Sequence, residues 1–144
     1  MLKLGIIGTG QISHEFIKAA KLSGHYELQA VYSRSLTSAQ AFAQDYQNVE
    51  LFCDLTDFLN SALDVVYIAS PNSLHFEQAK QVILAGKHAI IEKPAVSLPE
   101  EWQELVALSK QEEVYIFEAA RNYHEKAFAT IQDFLKDKTI WGAH

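Results

Sequence analysis

Cysteine is nearly missing from this 144-residue chain, where Cys53 stands alone. No disulfide within the chain can hold the fold, and such sparing use suits a reducing compartment. Positive charge is scarce as well: 12 Lys and Arg face 18 Asp and Glu, for a net charge of −6. No cluster of basic residues marks a footprint for a phosphate backbone, which argues against nucleic acid as a partner. Long apolar runs are absent too. Stretches such as residues 65–69 fall far short of the roughly 20 residues that a membrane span needs, so no membrane partner is expected. The first residues carry one lysine and then reach glycine, unlike a secretory signal. A cytoplasmic location is the expectation.

Several catalytic patterns are missing. His14-Glu15 and His124-Glu125 begin like a zinc helix, but Lys18 and Phe128 stand where the second histidine belongs. His75-Phe76-Glu77 imitates the start of a zinc deaminase, without the paired cysteines that would complete it. No nucleophile elbow and no phosphate-loop lysine motif occurs. No metal site is expected.

What is present is a recurring pair: a short apolar run, then an amphipathic segment. Leu2–Ile7 reads as a strand, and 11–21 as a helix with Ile12, Phe16, Ala19 and Ala20 on one face. Further strands are expected at 28–32, weakly near 51–52, at 64–70, 88–91 and 114–117. Helices are expected at about 37–46, 56–63, 74–85, 99–110 and 125–136, with Gly86 as a C-terminal cap. Residues 64–70 are apolar on both faces, as a central parallel strand should be. Strands alternating with helices imply crossover units and an α/β fold, a doubly wound parallel sheet of about six strands with helices on both faces.

Three turns carry chemistry. After the first strand comes Gly8-Thr9-Gly10-Gln11-Ile12-Ser13, a dinucleotide fingerprint with Ser13 in the third small position. Gly8 makes the tight turn, Gly10 lets backbone N–H groups approach a pyrophosphate, and Ser13 lets the helix pack closely. The second strand ends in Ser33-Arg34-Ser35, with no acid for ribose hydroxyls. Arg34 could stack on adenine or pair with a 2′-phosphate, or be a solvated arginine at a strand end. Ser70-Pro71-Asn72-Ser73-Leu74-His75 and Glu92-Lys93-Pro94 close the two central strands at their carboxyl ends, where ligands bind in such sheets. The first could equally be turn and cap chemistry. Lys93 could serve as a proton donor or hydroxyl ligand, or be an ordinary surface lysine.

Together, Gly-Ile-Ile-Gly-Thr-Gly, Ser-Pro-Asn-Ser-Leu-His and Glu-Lys-Pro resemble the Gfo/Idh/MocA oxidoreductase family over the whole chain. The resemblance implies a Rossmann fold that binds NADP or NAD. Gly8, Thr9, Gly10, Gln11 and Ile12 would surround the pyrophosphate, and Ser33 and Arg34 would hold the adenosine end. Ser70, Pro71, Asn72 and His75 would line the ribose and nicotinamide path, and Glu92 would touch the nicotinamide. Lys93 would be catalytic, bonding the reacting substrate oxygen ahead of a cis Pro94, with Arg121 and Tyr123 toward the substrate.

Tyr123 stands where relatives often carry arginine, and their following proline is missing. The family's second α/β substrate domain is expected to be absent from this chain. Residues 1–124 would then be the cofactor domain, and 125–144 a linking helix and the start of that second domain. The expected activity is NAD(P)-dependent hydride transfer to or from a sugar, polyol or related small-molecule substrate. The chain alone would be inactive, and a homo-oligomer is expected in the full-length form. The alternative is a non-catalytic dinucleotide-binding sensor. NADP is preferred over NAD because Arg34 replaces the expected acid.

Overall fold

The computed structural model describes residues 1–120 and 126–136. In chain order its elements are β1 (Leu2–Ile7), α1 (Gln11–Ser23), β2 (Tyr26–Tyr32), α2 (Leu36–Ala43), β3 (Glu50–Phe52), α3 (Leu55–Asn60) and β4 (Val65–Ile68). A short 3₁₀ turn at Asn72–Leu74 leads into α4 (His75–Leu84). Then come β5 (His88–Ile91), α5 (Pro99–Gln111), β6 (Ile116–Glu118) and α6 (Lys126–Leu135).

Every strand pair among the described residues is parallel, and the sheet order is β3-β2-β1-β4-β5-β6. The order reverses between β1 and β4. The chain leaves these two neighbouring strands in opposite directions, so a crevice opens past their carboxyl ends. This is the expected doubly wound fold.

All four residues of β4 are buried. One apolar cluster packs Phe58 of α3, Val82 and Ile83 of α4 and Leu105 of α5 under Ile7, Val66, Ile68 and Ile91. The other packs Ile17 and Ala20 of α1 and Phe42 of α2 over Leu4, Ile6, Val31, Val65 and Tyr67. Each fully buried aliphatic side chain contributes roughly 1.5–3 kcal/mol, so the two clusters supply most of the driving force.

Boundaries differ from expectation by a few residues, and the differences have causes. α2 begins a residue early because the Ser35 side chain accepts the Ser38 N–H. It ends at Ala43 rather than Tyr46, followed by a turn in which Asn48 adopts φ 59°. The strand expected at 64–70 is ordered as a ladder over Val65–Ile68, and its flanking residues Ala69 and Ser70 turn out toward the crevice. β6 starts at Ile116 rather than Val114, because the Val114 N–H is held by the α5 carbonyl of Ser109.

The buried face of α1 is Ser13, Ile17 and Ala20; of the expected stripe Ala20 is buried, while Ile12 and Phe16 are half-buried and Ala19 is exposed. Two adjacent apolar stripes wind around this helix. Periodicity alone cannot say which one meets the core and which one lines a cleft. Lys87 was not foreseen as interior: it is 8% exposed, and its Nζ donates to the carbonyls of Ser61 and Leu63 at 3.1 and 2.9 Å. Burial pushes its pKa down, while Asp64 pulls it back up.

Candidate functional site

The β1–α1 turn is held from inside. Gly8 adopts φ +104°, and a Cβ there would lie 2.5 Å from the Ala69 carbonyl oxygen of the neighbouring turn. The Ser13 hydroxyl, fully buried, donates to the Gly8 carbonyl at 2.9 Å. The small third residue of the fingerprint therefore ties the turn down as well as leaving room for packing. We expect Gly8→Ala to cost several kcal/mol of stability, from roughly 1–3 kcal/mol of backbone strain plus the clash. Urea denaturation checks this, and a loss within about 0.5 kcal/mol, the range of an ordinary surface change, would contradict it.

Gly10 is different. It is the N-cap of α1 at φ −85° and ψ 172°, a conformation open to most residues. A Cβ at Gly10 would meet nothing within 4 Å. No side chain caps this helix end, and no acid lies in its first turn. The first N–H groups of α1 thus face an open space with the positive end of the helix dipole behind them, which suits a pyrophosphate.

Two clefts flank this helix end. One, of about 220 Å³, is lined by Gly8, Thr9, Gly10, Ser33, Arg34, Ser70 and Pro71 together with Gln78 of α4. The other, of about 290 Å³, is lined by Ile12, Glu15, Phe16 and Ala19 of α1, Tyr67 of β4, and Glu92, Glu118 and Ala119 at the ends of β5 and β6. Of the residues expected on the ribose and nicotinamide path, Ser70 and Pro71 share the first cleft with Ser33 and Arg34, and Glu92 lines the second, across the same anion-receptive helix end. Arg34 is exposed at the mouth of the first cleft. Of its flanking hydroxyls, Ser35 is engaged in capping α2 and Ser33 Oγ accepts the Ser35 N–H at 3.5 Å.

His75 is placed otherwise than a cofactor-lining ring. It is fully buried, with Nδ1 2.9 Å from the Pro94 carbonyl and Nε2 2.8 Å from the Ser70 carbonyl. It joins the β4–α4 turn to the β5–α5 turn through their backbones. Ser70 donates its hydroxyl to Gln78 Oε1, while Pro71 and Asn72 are exposed. Gln11 is exposed at the start of α1. The Lys93-Pro94 peptide is cis, as the resemblance implied, and Lys93 is exposed at the carboxyl end of β5. Arg121 and Tyr123 lie outside the described residues.

Residues 2–120 match the model of an oxidoreductase family with an NAD-binding Rossmann fold, Gfo/Idh/MocA. The chain belongs to this family. The Gfo/Idh/MocA match covers the crevice, both clefts and the Glu92-Lys93-Pro94 turn. An uncharacterized oxidoreductase of Escherichia coli, YgjR, is 42% identical over 130 residues, covering 86% of this chain and 40% of that protein. The scyllo-inositol 2-dehydrogenase (NADP(+)) IolU of Bacillus subtilis is 39% identical, covering 84% of this chain and 37% of that one. Among solved structures, the WlbA dehydrogenase of Bordetella pertussis in complex with NADH and UDP-GlcNAcA superposes with a TM-score of 0.86 at 26% identity. That match covers 94% of this chain and 39% of the dehydrogenase. The chain thus spans about two-fifths of the length of these relatives.

Sequence reasoning missed three residues of the site: Tyr67, Gln78 and Glu118. Tyr67 had a signal, since a phenol in an otherwise aliphatic central strand must find a partner for its hydroxyl. It donates to Glu92 Oε1 at 2.6 Å. Gln78 and Glu118 had none, because their partners lie on other elements. Among the described residues, no group of three or more His, Cys, Asp or Glu is arranged to hold a metal ion, and no helix is long and apolar enough to cross a membrane.

Proposed function

We propose that this chain is the cofactor half of an NAD(P)-dependent dehydrogenase or reductase that acts on a CH–OH or carbonyl group of a sugar, polyol or related compound. One observation carries the reading. The open, acid-free N-terminus of α1 lies between a cleft that ends at Arg34 and a cleft that ends at Glu92, beside Lys93. When bound, the nicotinamide ring supplies the hydride donor or acceptor. The backbone N–H groups after Gly10, with Thr9, Gln11 and Ile12 around them, hold the pyrophosphate. Ser70 and Pro71 of the first cleft border the ribose, with the exposed Asn72 next to them in the chain, and Glu92 of the second borders the nicotinamide.

The Lys93 ammonium donates a hydrogen bond to the reacting oxygen. It stabilises charge on that oxygen or holds the proton that moves to or from it at Nζ. Arg121 and Tyr123 follow β6 in sequence and are assigned to the substrate side. The relatives named as dehydrogenases support the reaction class. Titrating the chain with NADH and NADPH, followed by nucleotide fluorescence, tests the reading. Absence of binding by the folded chain would overturn it.

NADP(H) is the preferred cofactor. Arg34 stands exposed at the end of β2 beside the N-terminus of α2, and among the described residues no acid lines that cleft. A charge-assisted bond from Arg34 to a 2′-phosphate contributes about 1.5–3 kcal/mol, or roughly ten- to hundredfold in affinity. Arg34→Ala is expected to weaken NADP(H) by that factor and NAD(H) by less than about threefold. Dissociation constants for both dinucleotides decide it. Equal weakening of the two would make Arg34 a stacking residue and remove the preference.

A further inference from the structure

The turn that carries Lys93 is held at three successive residues by side chains: its own Glu92, His75 of α4 and Glu118 of β6. The Glu92 carboxylate is engaged on both oxygens: Oε1 accepts the Tyr67 hydroxyl at 2.6 Å and Oε2 accepts the Lys93 N–H at 3.1 Å. The Pro94 carbonyl lies 2.9 Å from His75 Nδ1. The Ala95 N–H donates to Glu118 Oε2, on β6, at 3.0 Å. Tyr67 is itself fixed, being fully buried in β4 and stacked on Phe16 of α1 with ring centroids 3.8 Å apart and planes 6° apart.

We propose that Tyr67 and Glu118 are positioning residues that clamp the Lys93 turn from its two sides. Tyr67 acts through Glu92, and its stack on Phe16 couples Lys93 to the helix whose N-terminus receives the cofactor. The physical reason is preorganisation. Lys93 is a long, exposed side chain on a loop, and a misplacement of about 1 Å at a reacting centre costs roughly a hundredfold in rate. A backbone fixed at residues 93, 94 and 95 removes that freedom before substrate arrives. The hydroxyl of Tyr67 serves the same end, because with Oε1 held by Tyr67 and Oε2 by the Lys93 N–H both carboxylate oxygens are fixed.

This inference rests on the assignment of Lys93 to the reacting oxygen, and the test separates the two. In the ¹⁵N–¹H spectrum of this chain without cofactor, Tyr67→Phe should shift the Lys93 amide and speed its hydrogen exchange by about tenfold or more. Glu118→Ala, at an exposed position that the fold tolerates, should do the same to the Ala95 amide. In the complete enzyme both variants should lower kcat by about ten- to hundredfold, a larger factor than any rise in the KM for dinucleotide. Unchanged amides, or a raised dinucleotide KM with kcat intact, would overturn the clamp. Lys93→Ala is run beside them. If it loses no turnover, the assignment of Lys93 fails and the rate effect of the clamp fails with it, whatever the amides report.

Discussion

Lys93→Ala should lower kcat of the complete enzyme by about two to four orders of magnitude, the range associated with losing a positioned acid–base group. The KM for dinucleotide should change little, because Lys93 stands at the end of β5 and lines neither the Gly8–Gly10 turn nor the Arg34 cleft. An effect confined to kcat and to kcat/KM for the carbonyl substrate would mark an interaction made in the transition state. Steady-state kinetics with both substrates varied provides the check. A Lys93→Ala enzyme that keeps its kcat but loses dinucleotide affinity would place the lysine in the cofactor cradle instead.

Gly10→Val has the second large effect, and it falls on binding. The N-cap φ and ψ of Gly10 are accessible to valine, and among the described residues no atom lies within 4 Å of a Cβ there. The folded chain should therefore lose at most about 1 kcal/mol, the difference between a neutral and a poor helix N-cap. The added side chain would instead occupy the space before the first N–H groups of α1, so the affinity for NADH and NADPH should fall by about a hundredfold or more, equivalent to 2.7 kcal/mol or above. Equilibrium denaturation and nucleotide titration on the same samples separate the two. A Gly10→Val chain that is folded and binds with unaltered affinity would remove the pyrophosphate from this helix end. The contrast with Gly8 sharpens the test. One glycine is required by the protein's own backbone, and the other answers to nothing within the described structure.

The adenosine end was legible in part. The absence of an acid after β2 is a fact of the sequence, but which hydroxyls remain at Arg34 is not. Ser33 and Ser35 are drawn into a local turn and a helix cap. That competition between ligand and backbone is settled by a few ångströms of turn geometry. His75 was misjudged for a related reason. Its place in a polar turn at a strand end suggested contact with ligand, whereas the packing of α4 under the sheet buries the ring and leaves two backbone carbonyls as its partners.

The sequence by itself determined the element order, the parallel pairing and the position of the glycine turn between β1 and α1. These follow from short-range chemistry: the period of apolar residues, a glycine required at positive φ, and the handedness of crossover connections. Only the tertiary structure decided which stripe of α1 is buried, that Lys87 is interior, and that Tyr67, His75, Glu92 and Glu118 converge on one turn. Each of those facts depends on contacts between residues far apart in the chain, such as Tyr67 with Glu92 and Ala95 with Glu118. A phenol in an aliphatic central strand announces in the sequence that its hydroxyl needs a partner, and the packing of strands and helices alone selects which one.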